Sequence, residues 1–125
     1  MKKNGIINAP LSGYLARLGH TDIVVIADAG LPIPAHVPVV DLALVLGLPR
    51  FSDVLSALLS ELVIEECAVA SEAGEEVRAL LPTGVEVREI DHEQLKVEVA
   101  DASVVVRTGE TTSFANFILR CGVPF

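Results

Sequence analysis

Aromatic and basic residues are scarce in this chain. It has no tryptophan, one tyrosine and four phenylalanines, and nine lysines and arginines stand against seventeen aspartates and glutamates. Nucleic-acid surfaces are built from clustered cations interleaved with stacking rings. Here the longest basic run is Lys2-Lys3 and the net charge is -8, which repels polyanions and better suits a neutral small molecule. Long apolar runs are missing as well. Asp28, Asp41, Glu65 and Glu66 interrupt the greasy segments before any approaches the roughly 18 residues of a membrane span. Met1-Lys2-Lys3 could open an export signal, but Asn4, Gly5 and Asn8 stand where its apolar core should be. The expected compartment is the cytoplasm, with neither membrane nor nucleic acid as a partner.

The motifs that hold cofactors are absent too. The two cysteines, Cys67 and Cys121, lie in apolar strand-like runs without C-x-x-C spacing, which predicts buried, reduced thiols. No two of the three histidines have the i,i+4 or short-loop spacing of zinc sites. There is no G-x-G-x-x-G or P-loop to cradle phosphates and no G-x-S-x-G elbow to present a nucleophile. The expectation is therefore no metal, no nucleotide cofactor and no covalent catalysis.

What is present is apolar mass. The 125 residues suffice for one domain, 1–125, and 51% of them are hydrophobic. Counting glycine in place of tyrosine raises that to about 58%, above the ~45–50% usual for a soluble domain. A small monomer would leave much of this facing water, so the composition predicts an oligomer.

Helical spacing of Leu11, Tyr14, Leu15 and Leu18 behind Pro10 predicts a helix over 10–18, stopped by Gly19. Ile23-Val24-Val25-Ile26-Ala27 reads as a strand covered on both faces and ending on Asp28. Prolines make 30–34 a loop, and 39–46 fits either strand or helix. The stripe Phe51, Val54, Leu55, Leu58, Leu59, Leu62 predicts a second helix with Ser52 as its N-cap, running into a strand over 63–70. A short helix over 75–81, a strand over 85–90, a helix over 91–99 capped by Asp91, and strands at 104–106 and 117–119 complete the chain. Strands and helices alternate, so the expected fold is α/β: a single three-layer domain with a mostly parallel central sheet flanked by helices.

In such a sheet, ligands bind beyond the carboxyl ends of strands, which singles out Asp28 and the segment 107–116. Asp28 could equally cap the turn at Ala29-Gly30. His20, after Gly19, could be a turn residue, and His92, after the cap Asp91, could simply face solvent.

Together these fragments are specific. Met1 to Asn8, Leu18-Gly19-His20-Thr21-Asp22, Asp28-Ala29-Gly30-Leu31-Pro32-Ile33-Pro34, Asp41-Leu42-Ala43-Leu44, Leu59-Ser60-Glu61-Leu62, Arg107-Thr108-Gly109-Glu110, Ala115-Asn116 and Gly122-Val123-Pro124-Phe125 resemble the D-ribose pyranase family, relatives of the L-fucose mutarotases, in order and spacing. The resemblance spans essentially the whole chain. It implies an isomerase of carbohydrate metabolism that needs no cofactor and interconverts the pyranose and furanose forms of D-ribose, built as a ring-like homo-oligomer, a decamer of two pentamers. It also implies His20 as the catalytic acid, with Asp28, His92 and the tripeptide Phe114-Ala115-Asn116 at the sugar. Two departures stand out: the family pattern has tyrosine where this chain has Phe114, and the region between Ala70 and Val85 is short. The competing readings are a mutarotase for another monosaccharide, such as L-fucose, and a non-catalytic sugar-binding protein.

Ring interconversion moves only protons, which a titrating imidazole can deliver. One geometric difficulty is visible in advance. His20 and Asp28 flank a five-residue strand, whose ends lie about 16 Å apart at about 3.3 Å per residue. Either the turn at 19–22 folds His20 back toward Asp28, or the site joins groups from adjacent subunits; the second is the expectation.

Overall fold

In the computed structural model, which describes residues 1–125, the apolar runs assemble a six-stranded sheet. The strands are β1 (Ile23–Ala27), β2 (Val39–Asp41), β3 (Ile64–Ala70), β4 (Glu86–Ile90), β5 (Val104–Arg107) and β6 (Phe117–Cys121), in the order β2-β5-β1-β6-β3-β4. β1 pairs parallel to β5 and β5 to β2, and β3 pairs parallel to β4. β6 runs antiparallel to both its neighbours, β1 and β3. The sheet is therefore mixed but mostly parallel. Five strands end at one edge, and β6 begins there.

The side-chain period of two divides the strands between two cores. Val24, Ile26, Val104, Val106, Cys67, Val69, Phe117 and Leu119 face α1 (Ala9–Leu15), α2 (Phe51–Leu59) and α3 (Glu75–Arg78). Val25, Ala27, Val105, Ala68, Ala70 and Ile118 face Leu95 of α4 (His92–Glu98), Val99 just after it, and the loop residues Leu31 and Val37. Both faces of the central strands are covered, which explains why β1 and β5 read as unbroken β-branched runs.

Helix ends depart from the sequence pattern for identifiable reasons. α1 starts at Ala9, because the Asn8 side chain accepts the Leu11 N–H at 2.9 Å, and Pro10 is its second residue. It ends at Leu15, and 16–18 tighten into i→i+3 turns. Ser52 is not the cap of α2: the N-cap position is Arg50, whose side chain makes no capping bond, and Ser52 lies in the first turn. The Phe51 N–H is instead held at 3.1 Å by Glu110, 59 residues away, so no local cap is required. Asp91 does cap α4, accepting from the Gln94 N–H at 2.9 Å. Of the ambiguous 39–46 segment, only Val39–Asp41 is strand. The chain then leaves the sheet as a tongue, 42–49, laced to β5 and its following loop by Leu42 N–H to Arg107 O and Gly109 N–H to Pro49 O. A Cβ at Gly109 would overlap the Leu48 backbone, so only glycine permits this approach. α3, at Glu75–Arg78, is a single turn, shorter than the helix expected over 75–81.

Candidate active site

The edge where five strands end and β6 begins gathers Asp28, Thr108, Asn116 and the start of α4. Asp28 and Asn116 form a reciprocal pair there. The Asp28 N–H donates to Asn116 Oδ1 and Asn116 Nδ2 donates to Asp28 Oδ2, each at 2.8 Å. Asn116 is wholly buried, so these two bonds fix both its amide orientation and the Asp28 carboxylate. The other Asp28 oxygen accepts the Gly30 N–H at 2.9 Å. Asp28 thus closes the Ala29-Gly30 turn and lines a cleft at the same time.

Phe114 turns the chain toward Asn116 with φ +63°, a conformation costly for a bulky residue and characteristic of functional sites. That backbone sets the Phe114 ring edge-to-face against His92, with centroids 5.0 Å apart at 81°. His92 opens α4, and its backbone N–H is held by both oxygens of Glu72, at 3.1 and 3.2 Å. This bond, foremost, holds the Glu72 carboxyl below the usual range. His92 Nδ1 is buried with no partner in the protein, while other atoms of the residue line a cleft shared with Asp28. Ala115, buried behind this surface, contributes packing.

Asp28, Gly30, His92, Lys96, Ser113 and Phe114 line a cleft of about 320 Å³. A neighbouring hollow of about 390 Å³ shares Asp28, Gly30 and Ser113 and extends to Leu46 and Thr111. Lys96 was missed from the sequence, and Ser113 was reached only as part of the segment 107–116. The signal for Lys96 was its i,i+4 spacing from His92, which puts both on one helix face. The cleft therefore offers an anionic acceptor, an imidazole nitrogen, an ammonium and a hydroxyl around one apolar ring, a set suited to a small polyhydroxylated molecule.

His20 is not among them. It lies at the other end of β1, where Thr21 N–H donates to Cys121 O and Cys121 N–H to Asp22 O, both at 2.9 Å. The Gly19 N–H binds Asp22 Oδ2 at 2.7 Å, and His20 Nε2 meets Glu65 Oε2 at 3.1 Å with both side chains about half exposed. The 19–22 turn does not fold His20 back; it fixes the imidazole at the far edge. His36, the third histidine, bonds Ala100 O at 2.9 Å.

Both cysteines are free and buried. Burial pushes the Cys67 thiol up to about 12, helped by the Glu66 charge, and Cys121 up to about 11, helped by Asp22 and Glu65, so neither is a nucleophile near neutrality. No three His, Cys, Asp or Glu side chains converge as metal ligands, and no helix is long and apolar enough to cross a membrane.

Residues 1–124 match the model of the RbsD / FucU transport protein family. The chain is 54% identical to D-ribose pyranase 1 of Rubrobacter xylanophilus, over the whole of both proteins. It superposes on the structure of Bacillus subtilis RbsD complexed with D-ribose with a TM-score of 0.95, at 44% identity and complete coverage of both chains. The fucose mutarotase of Streptococcus pneumoniae, solved in complex with L-fucose, shares the fold, with a TM-score of 0.76 at 20% identity over 95% of each chain.

Proposed function

The chain belongs to the RbsD / FucU transport protein family, and from that premise we propose that it is an isomerase interconverting the pyranose and furanose rings of D-ribose by general acid/base catalysis. The observation that carries the assignment is identity of 54% to a D-ribose pyranase from end to end. The cleft at Asp28, His92 and Phe114 supplies chemistry of the required kind.

The reaction breaks the bond between the anomeric carbon and the ring oxygen, then closes the ring through a different hydroxyl. The ring oxygen must gain a proton as the anomeric hydroxyl loses one, and no electrons are transferred. His20 is the proton donor of this proposal. Asp28, held rigid by Asn116 and Gly30, accepts from sugar hydroxyls. The His92 imidazole bonds a further hydroxyl, and the Phe114 ring packs against an apolar sugar face. With phenylalanine at 114, that wall offers no hydroxyl of its own.

Because His20 and Asp28 occupy opposite edges of the sheet, the acid comes from a neighbouring copy. Leu44, Val45, Leu46 and Leu48, at 79, 58, 79 and 53% exposure, form an apolar tongue beside the cleft that favours such an assembly. The proposed assembly is a ring-like homo-oligomer, a decamer of two pentamers, working in the cytoplasm.

Saturation-transfer NMR on ribose with catalytic amounts of protein is the direct test: accelerated exchange between ring forms is expected. Faster exchange of fucose than ribose would move the substrate to the sister activity. Binding without acceleration would replace the isomerase with a sugar-binding protein.

A further inference from the structure

Glu110 belongs to none of the groups assigned to the sugar, yet three separate segments of the chain, two of them lining the hollow beside Asp28, are tied to it. One carboxylate oxygen accepts the Phe51 N–H at 3.1 Å, at the uncapped start of α2. The other accepts the Thr111 and Thr112 N–H groups at 3.0 and 3.1 Å, bending the loop that leads to Ser113, Phe114 and Asn116. Its backbone carbonyl accepts the Ala29 N–H at 2.9 Å, one residue past Asp28. Its own N–H donates at 3.1 Å to the wholly buried Thr108 hydroxyl, which in turn donates to Ala27 O at 2.8 Å.

We infer that Glu110 is the positioning residue of the cleft: its carboxylate clasps the 111–116 loop to the start of α2, and its backbone clasps the same loop to the Asp28 turn. Glu110 borders the hollow beside Asp28, but both its oxygens are engaged by backbone donors. It acts through Asp28, Ser113 and Phe114 and does not itself bond the sugar. Burial alone would raise its pKa, yet the Phe51, Thr112 and Thr111 donors outweigh burial and hold the carboxyl below its usual range. The left-handed backbone at Phe114 gives the clasp a reason. A bulky residue keeps such a conformation only where its surroundings over-determine it, and Glu110 anchors the loop three and two residues upstream.

The inference takes its substrate from the ribose isomerase reading, so the experiment separates the two. Glu110→Gln keeps the shape but has one carbonyl oxygen, so either the Phe51 donor or the Thr111-Thr112 pair faces an NH₂ group instead of an acceptor. Ribose affinity of the variant is expected to fall about tenfold, with a smaller loss in exchange rate at saturating ribose, as misplacement of binding groups produces. In ligand-free protein, amide hydrogen exchange at Phe51, or at Thr111 and Thr112, according to which of them the new NH₂ group faces, is expected to accelerate about tenfold or more, while Val25 and Val105 in the sheet keep the parent rates. Parent-like affinity in the variant, or parent-like protection at those three amides, overturns the inference. A parent protein that leaves ribose exchange at its spontaneous rate overturns the isomerase reading instead, and the clasp is then decided by the amide rates alone.

Discussion

Replacing His20 by alanine removes a half-exposed ring whose one side-chain partner is Glu65. Stability is expected to change by less than about 0.5 kcal/mol, while ribose exchange falls about 10²–10⁴-fold, the usual contribution of a positioned acid. Thermal melts and saturation transfer on the same sample check both halves; parent-like exchange in H20A removes His20 from the reaction. Asn116 behaves in the opposite way. Its amide is wholly buried and bonded twice to Asp28, so Asn116→Leu leaves the Asp28 N–H and Oδ2 without partners. A loss of about 1–3 kcal/mol in denaturant unfolding is expected, together with loss of ribose binding. The sequence pointed to both residues, but not to the positive φ of Phe114 or the unpartnered Nδ1 of His92. Those depend on contacts between segments more than twenty residues apart, to which local pattern is blind.

At the scale of elements, α4 carries His92 and Lys96 into the cleft and is pinned at both ends. Glu72 holds its first N–H, and Arg88 of β4 grips Glu98 in its last turn with two bonds of 3.0 and 2.7 Å while also reaching Glu66 at 3.2 Å. Arg88, above all, holds the Glu98 carboxyl below its usual range. A depressed carboxylate contributes stability that is complete above its unfolded pKa, near 4.3, and is lost as pH falls through the lower folded value. Glu98→Gln is therefore expected to cost about 1–2 kcal/mol at neutral pH, and to flatten the loss of stability below about pH 4. Chemical denaturation at a series of pH values reads both. The elements themselves were legible wherever one period dominated: the stripe from Phe51 to Leu62 and the run Ile23 to Ala27 gave α2 and β1. Ser52 misled because a serine near a helix start is a good local cap, and the sequence carries no sign that Glu110 already serves the Phe51 N–H. The segment 39–46 was unreadable because only three of its residues pair in the sheet, and the rest form a tongue held by Gly109 and its neighbours.

The whole molecule exposes apolar side chains and concentrates several of them, Leu44, Val45, Leu46 and Leu48, on the tongue. Leu44 makes a backbone bond to Leu48 at 3.0 Å and exposes its side chain. Leu44→Glu is expected to preserve the fold, shift the protein to smaller species in sedimentation velocity, and reduce ribose exchange by the same proportion. A dispersed monomer with full activity would refute the shared site.

The span of β1 between His20 and Asp28 has one more consequence. If His20 is the acid and the Asp28 cleft the cradle, as proposed, a working site is a property of a contact between copies and not of any single chain. Two inactive proteins, His20→Ala and Asp28→Asn, each keep the half that the other lacks. Mixed, dissociated and reassembled in equal amounts, they are expected to regain activity at about a quarter of their contacts, those where an intact acid meets an intact cradle. Neither protein alone would recover under the same treatment, and a mixture as silent as its components would place acid and cradle within one chain.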